Sequence, residues 1–215
     1  MKLLTTPQIT EIFKRFEAVN PAPVTELIAP NAFCLLVAIV LSAQATDVSV
    51  NKATLSLFAL ADTPETMLAL GEDGIKAHIK TIGLFNTKAK NIIKLCETLL
   101  NDYNGNIPTN RDELQQLAGV GRKTANVWLN CTRGAPLIAV DTHVFRVSNR
   151  LGLCAAKNVL ECELQLERNI PSEFMQHAHH HLILHGRYIC KARKPECAKC
   201  LIAEFCQFTD KLKPL

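Results

Sequence analysis

Leu117-Ala-Gly-Val-Gly-Arg-Lys-Thr-Ala125 is the stretch on which the reading of this chain turns. Before it, Arg111 to Leu117 has the pattern of a short helix, and from Arg122 to about Cys131 the apolar spacing predicts another. Ala118 to Gly121 forms a tight Gly-x-Gly turn between them. Two helices joined in this way make a helix-hairpin-helix. Gly119 and Gly121 let backbone approach a phosphate without a Cβ in the way, and the N–H groups that open the second helix favour an anion there. Such a grip adds affinity without reading a base. The glycines alone fit a purely structural turn equally well.

Working outward, helix-start signals recur at Thr6-Pro7, at Asp47 after Thr46, at Thr63-Pro64-Glu65 and at Asn110. Ile9, Ile12, Phe13 and Phe16 predict one apolar helix face, Val48, Leu55 and Phe58 another, and Ala89, Ile92, Ile93, Cys96 and Leu100 a third. Breaks at Gly71, Gly74, Gly83, Gly105 and Pro108 separate helices of about three turns. The one strand-like alternation is Leu137-Ile-Ala-Val140. The expected class is all-α, with roughly nine or ten helices and a boundary near Gly134-Ala-Pro136, where the helix of Trp128 ends.

Lys123 falls in the first turn of the second hairpin helix, where the positive end of the macrodipole disfavours an ammonium ion. An amine held as free base can attack a sugar C1′ and form a Schiff base; the plainer role is pairing with a phosphate. Asp141, in Ile138-Ala-Val-Asp-Thr-His-Val144, follows at the head of the next expected helix, Thr142 to about Leu151. Its carboxylate can take the lysine proton and steady positive charge on the sugar as a base leaves, and it also suits an N-cap. The two roles are compatible.

Nine cysteines are many for a reducing compartment, and their odd number opposes a fully paired disulfide framework. Cys34, Cys96, Cys131, Cys154 and Cys162 are scattered through helical patterns as core filler. Cys190, Cys197, Cys200 and Cys206 crowd into one segment with spacers of six, two and five residues, enough thiolates to enclose a metal centre. Zinc and a [4Fe-4S] cluster are both open from spacing, with the single close pair favouring the cluster. Lys191-Ala-Arg-Lys-Pro-Glu196, preceded by Arg187, makes this loop basic, so it either faces DNA phosphates or is a solvated loop.

The net charge of only +4 makes the placing of cations more informative than their sum. No apolar run reaches membrane-span length, the longest being Ala32 to Leu41, and no targeting segment is evident at the start. An intracellular protein is expected. His177-Ala-His-His-His181 with His185 lacks an acidic motif to complete a metal site and is read as solvated or capping. Among residues that might open a duplex, Gln44 reads by itself as a helix-end polar residue and Leu84 as a core contact.

The motif Leu-Ala-Gly-Val-Gly-Arg-Lys-Thr-Ala-Asn-Val, the Val-Asp-Thr-His motif and the cysteine spacing together resemble the endonuclease III family of helix-hairpin-helix DNA glycosylases over nearly the whole chain. The resemblance implies a bifunctional DNA glycosylase and AP lyase of base excision repair that removes oxidised pyrimidines from damaged double-stranded DNA. Lys123 would be its Schiff-base nucleophile and Asp141 its catalytic carboxylate. Cys190, Cys197, Cys200 and Cys206 would hold a [4Fe-4S] cluster. Gln44 and Leu84 would fill the gap left by the flipped base, and Gly119, Gly121, Arg122, Arg187, Lys191, Arg193 and Lys194 would contact DNA.

The implied fold is two-lobed. A six-helix barrel domain spans 25–134 and contains the hairpin at about 110–132. Residues 1–24 and 135–215 form a discontinuous iron–sulfur cluster domain with its cluster loop at 190–206. A monomer in the cytoplasm, associated with DNA, is the expected form. Ala118 departs from the family, which usually has proline there, and His181 stands where an aromatic residue is common. Two rivals remain. The related adenine glycosylase of mispaired DNA lacks the hairpin lysine, and a non-catalytic DNA-binding module would leave Lys123 and Asp141 without a role.

Overall fold

Asn31, Thr46, Thr63, Asn110, Asp141 and Asn158 each accept a hydrogen bond from the backbone N–H three residues on, and a helix follows every one of them. Each such cap satisfies an amide that the helix itself leaves open, worth ~1 kcal/mol. The computed structural model describes residues 2–209; Met1 and 210–215, which the expected second domain includes, lie outside the described residues. Within them are ten α-helices, two short 3-10 turns and no strand. Leu137 to Val140 carries no strand: Ile138, Ala139 and Val140 are buried, with no neighbouring strand to pair with.

The chain divides into two compact units, Thr25–Arg133 and a second made of Met1–Val24 with Gly134–Leu215. The first contains α2 (Ala32–Leu41), α3 (Asp47–Phe58), α4 (Pro64–Ile79), α5 (Phe85–Tyr103), α6 (Arg111–Leu114) and α7 (Arg122–Arg133). A helix that is apolar on every side must be buried on every side. Accordingly, α2 buries eight of its ten residues at the centre of this unit. Around it, α4 bends at Gly71, which takes a left-handed φ of 72°, and packs on the Ile92, Leu95 and Leu99 stripe of α5. Trp128 of α7 is 1% exposed, and its indole N–H donates to Ala32 O at 2.8 Å, tying α7 to the start of α2.

The second unit contains α1 (Thr6–Val19), α8 (Thr142–Leu151), α9 (Val159–Asn169) and α10 (Met175–Tyr188), followed by the cysteine loop. Ile9, Ile12, Phe13 and Phe16 of α1 join Val144, Val147, Phe174 and Leu182 in one apolar core. Close approach of α8 and α10 depends on Gly186, where a Cβ would come within 2.8 Å of His143 Cβ.

Of the solvated or capping roles expected for the histidine-rich segment, the solvated one does not hold. His179, His180, His181 and His185 are all buried. His181 stacks on Phe16 with ring centroids 5.5 Å apart, and one of its ring nitrogens lies 2.9 Å from Asn20 O. Burial, reinforced by His177, His181 and Arg187, pushes His180 down to about 4.

Candidate active site and nucleic-acid interface

The hairpin begins with α6, capped by Asn110. It ends at Leu114 and not at Leu117, because Leu117 N–H turns back to Leu114 O and Val120 N–H to Leu117 O. Gly119 has φ +80° and packs against two elements: a Cβ there would meet Val40 Cγ1 at 3.0 Å and Asn91 Cβ at 3.3 Å. Glycine is required at this point by both backbone and space. Nothing lies within 4 Å of a Cβ on Gly121, which faces open space. Helical bonding in α7 starts with Ala125 N–H to Gly121 O at 3.0 Å, so the amides that open α7 have no acceptor inside the helix, the arrangement that binds anions.

Lys123 is exposed in that first turn. Asp141 caps α8, its Oδ1 accepting from Val144 N–H at 2.8 Å, and is half-buried. Lys123 belongs to the Thr25–Arg133 unit and Asp141 to the other.

Three non-glycine residues have positive φ among the described residues, and two of them are Gln44 (55°) and Leu84 (60°). Leu84 is 58% exposed, so it is not the core contact that its apolar character suggests. A leucine held left-handed and in solvent carries about 1 kcal/mol of backbone strain or more and gains little from burial. Gln44, exposed after the end of α2, is strained in the same way. Such strain is characteristic of positions shaped for a ligand.

In the second unit the cysteine loop leaves α10 at Ile189, and Cys190, Cys197, Cys200 and Cys206 line one pocket together with Leu151, Ile189 and Phe208. Arg150 Nη1 lies 3.5 Å from Cys190 Sγ and 2.8 Å from Lys191 O, and its Nη2 donates to Ala192 O at 2.9 Å. Arg146 donates to Cys190 O at 3.0 Å and to Gly186 O at 2.8 Å. Lys191 pairs with Glu196, which also meets Lys199 at 2.7 Å, and the two ammonium groups push the Glu196 carboxyl down to about 2. Lys191 is thus partly neutralised, whereas Arg193 and Lys194 are exposed and Arg187 is half-buried at the end of α10.

Residues 37–172 match the family model of HhH-GPD superfamily base excision DNA repair proteins, and residues 190–206 match the iron-sulfur binding domain of endonuclease III. Endonuclease III of Rickettsia conorii is 57% identical over 205 residues, 95% of this chain and 98% of that protein. The chain belongs to the endonuclease III family. Endonuclease III of Escherichia coli is 54% identical over 202 residues, covering 94% of this chain and 96% of its own length. Among solved structures, a trapped endonuclease III–DNA covalent intermediate superposes with TM-score 0.89 at 46% identity, covering 95% of this chain and 97% of that one. The chain is a base-excision DNA repair enzyme of the DNA glycosylase and lyase type.

The residues present fit the [4Fe-4S] cluster of the endonuclease III family. Four thiols on one apolar-walled pocket supply a full set of ligands. Three of the other cysteines are held as thiols: burial pushes Cys34 and Cys96 up to about 12 and Cys131 up to about 11. Arg146 and Arg150 were not singled out by sequence. Their signal is a pair of arginines at i, i+4 on the helix that Asp141 opens, a spacing that puts both on one face.

Proposed function

We propose that this chain is a bifunctional DNA glycosylase and AP lyase that removes oxidised pyrimidines from duplex DNA and nicks the strand 3′ to the resulting abasic site. The observation that carries the reading is an exposed lysine, Lys123, one position inside the helix that follows the Gly119–Gly121 turn. The turn binds a phosphate through main-chain amides and so places Lys123 against the sugar of the held strand. Lys123 Nζ attacks C1′ as the damaged base leaves with the bonding electron pair. Asp141 accepts the lysine proton and offsets positive charge on the sugar. Opening of the sugar ring, in which the C1′–O4′ bond breaks and O4′ takes a proton, turns this adduct into an imine; the imine acidifies the C2′ proton, and its removal expels the 3′ phosphate by β-elimination.

Gln44 and Leu84 fill the space of the flipped nucleotide. Their left-handed backbones keep side chains in solvent where DNA would meet them, which supports this role. Arg122 joins the hairpin in holding phosphate, and Arg187, Lys191, Arg193 and Lys194 add a basic surface around the cluster loop. Cys190, Cys197, Cys200 and Cys206 ligate the cluster, which supplies a rigid anchor for that loop. The Thr25–Arg133 unit serves as the six-helix barrel domain and the remainder as the cluster domain, in a monomer acting on DNA in the cytoplasm.

A panel of duplexes carrying an abasic site, thymine glycol, dihydrouracil or adenine opposite guanine tests the reading. Nicking of the abasic duplex with release of both oxidised pyrimidines, and not of adenine, is expected. Binding of the abasic duplex without any nicking contradicts it and leaves a non-catalytic DNA-binding protein.

A further inference from the structure

Lys88 lies in the first turn of α5, four residues past Leu84, and is only 4% exposed. Its Nζ is buried and has no hydrogen-bond partner. Its backbone N–H donates to Leu84 O at 3.0 Å, so the buried ammonium and the strained, exposed leucine share one helical turn. Three residues further along α5, Asn91 supports Gly119 of the hairpin. Val40 meets the same glycine from α2, four residues before Gln44. Gly119 thus touches α5 about one turn past Lys88 and α2 one turn before Gln44.

A cation at that point works against the fold. Burial without a counter-charge disfavours the ammonium and lowers the Lys88 pKa from the usual lysine value. The first turn is also the positive end of the helix, and α5 has no acidic residue there. A methionine in the same place would extend the apolar stripe of Ile92, Leu95 and Leu99 without a stranded donor. A group that breaks the rules of local stability without local compensation marks a functional position.

We propose that Lys88 is a further DNA-binding residue, whose ammonium takes a backbone phosphate oxygen as its missing partner when the Gln44, Leu84 and Gly119 turns engage the duplex. The inference rests on reading those turns as the DNA-binding surface. An ammonium has three donors and no acceptor, so an anionic oxygen satisfies it better than a base edge does. The bond from Lys88 N–H to Leu84 O fixes Lys88 one turn into the helix, beneath the Leu84 turn. When Leu84 moves into the base stack, the ammonium beneath it is opened to the strand.

The test measures binding to a duplex containing a tetrahydrofuran abasic analogue, over a range of salt concentrations, for the wild type, Lys88→Met and Lys88→Arg. Lys88→Met is expected to keep or raise the melting temperature of the free protein while weakening binding about tenfold. It should also flatten the salt dependence by roughly one unit of slope, and Lys88→Arg should restore that slope. Wild-type affinity and slope in Lys88→Met overturn the proposal. So does a loss of stability with binding unchanged, the signature of a lysine that only packs.

Should Lys88→Met fail to fold, the lysine Cε signal of the wild type, assigned with Lys88→Arg, decides. A shift on adding the duplex supports the proposal and an unmoved signal overturns it. A wild type that does not bind the duplex at all removes the DNA-binding reading itself, an outcome distinct from a silent Lys88.

Discussion

In the unit that carries the cysteine loop, Arg146 and Arg150 are tied to the carbonyls of Gly186, Cys190, Lys191 and Ala192, and Lys191 is paired with Glu196. In the unit that carries the hairpin, Lys88 is buried without a partner and Lys123 stands exposed at the head of α7. Backbone strain divides in the same way. Gln44, Leu84 and Asn104, the non-glycine residues with positive φ among those described, all fall in the hairpin unit. One unit uses its charged side chains to fix a loop around a cofactor. The other keeps an unsatisfied charge at Lys88 and left-handed backbone at Gln44 and Leu84, the turns proposed above to meet DNA, where binding could relieve them.

Acid should separate the units most sharply, since of the seven histidines only His78 lies in the hairpin unit. His180 in the folded chain is pushed down to about 4, whereas the unfolded chain binds this proton near the ordinary value of about 6.5. Below that value the unfolded state holds more protons. Stability is therefore full above about pH 6.5 and falls by about 3 kcal/mol as the pH drops towards 4. Denaturant unfolding at pH 7.5 and pH 4.5 should show this loss, and His180→Gln should reduce it, leaving the share of His181 and His185, which burial also pushes down. Equal acid sensitivity in wild type and His180→Gln would break the comparison.

Arg150→Ala comes next. It removes hydrogen bonds to two carbonyls and the contact of the guanidinium with the Phe208 ring at 4.1 Å, about 2 kcal/mol in all. Hydrogen exchange should quicken around 190–194 while the hairpin amides stay protected. The smallest effect is expected at Leu84. Leu84→Gly relieves the left-handed backbone and should raise stability by up to about 1 kcal/mol, yet slow base release several-fold. A variant that gained stability and lost no activity would show that the exposed leucine does not enter the duplex.

The parts of the site that depend on local chemistry were legible in the sequence. The Gly-x-Gly turn, the capping side chain of Asp141 and the four-cysteine spacing each need only a few neighbouring residues to be read. The parts that depend on tertiary packing were not. Leu84 reads as a core residue because composition does not reveal a left-handed turn, and the histidines of α10 read as solvated because their aromatic partner, Phe16, lies far away in sequence. Leu117 was expected in a helix, but the hairpin needs its carbonyl to close a turn on Val120. Leu137 to Val140 alternates as a strand would and has no strand beside it. Lys88 fits an unremarkable Lys-Ala-Lys pattern, and only its burial sets it apart.

The central claim is that Lys123 performs the chemistry, and borohydride trapping on abasic or thymine-glycol duplex measures it most directly. Reduction of a Schiff base should leave the wild type covalently joined to DNA through Lys123, with no adduct and no nicking from Lys123→Gln although that variant still binds the duplex. A Lys123→Gln protein that is trapped as well as the wild type would contradict the account.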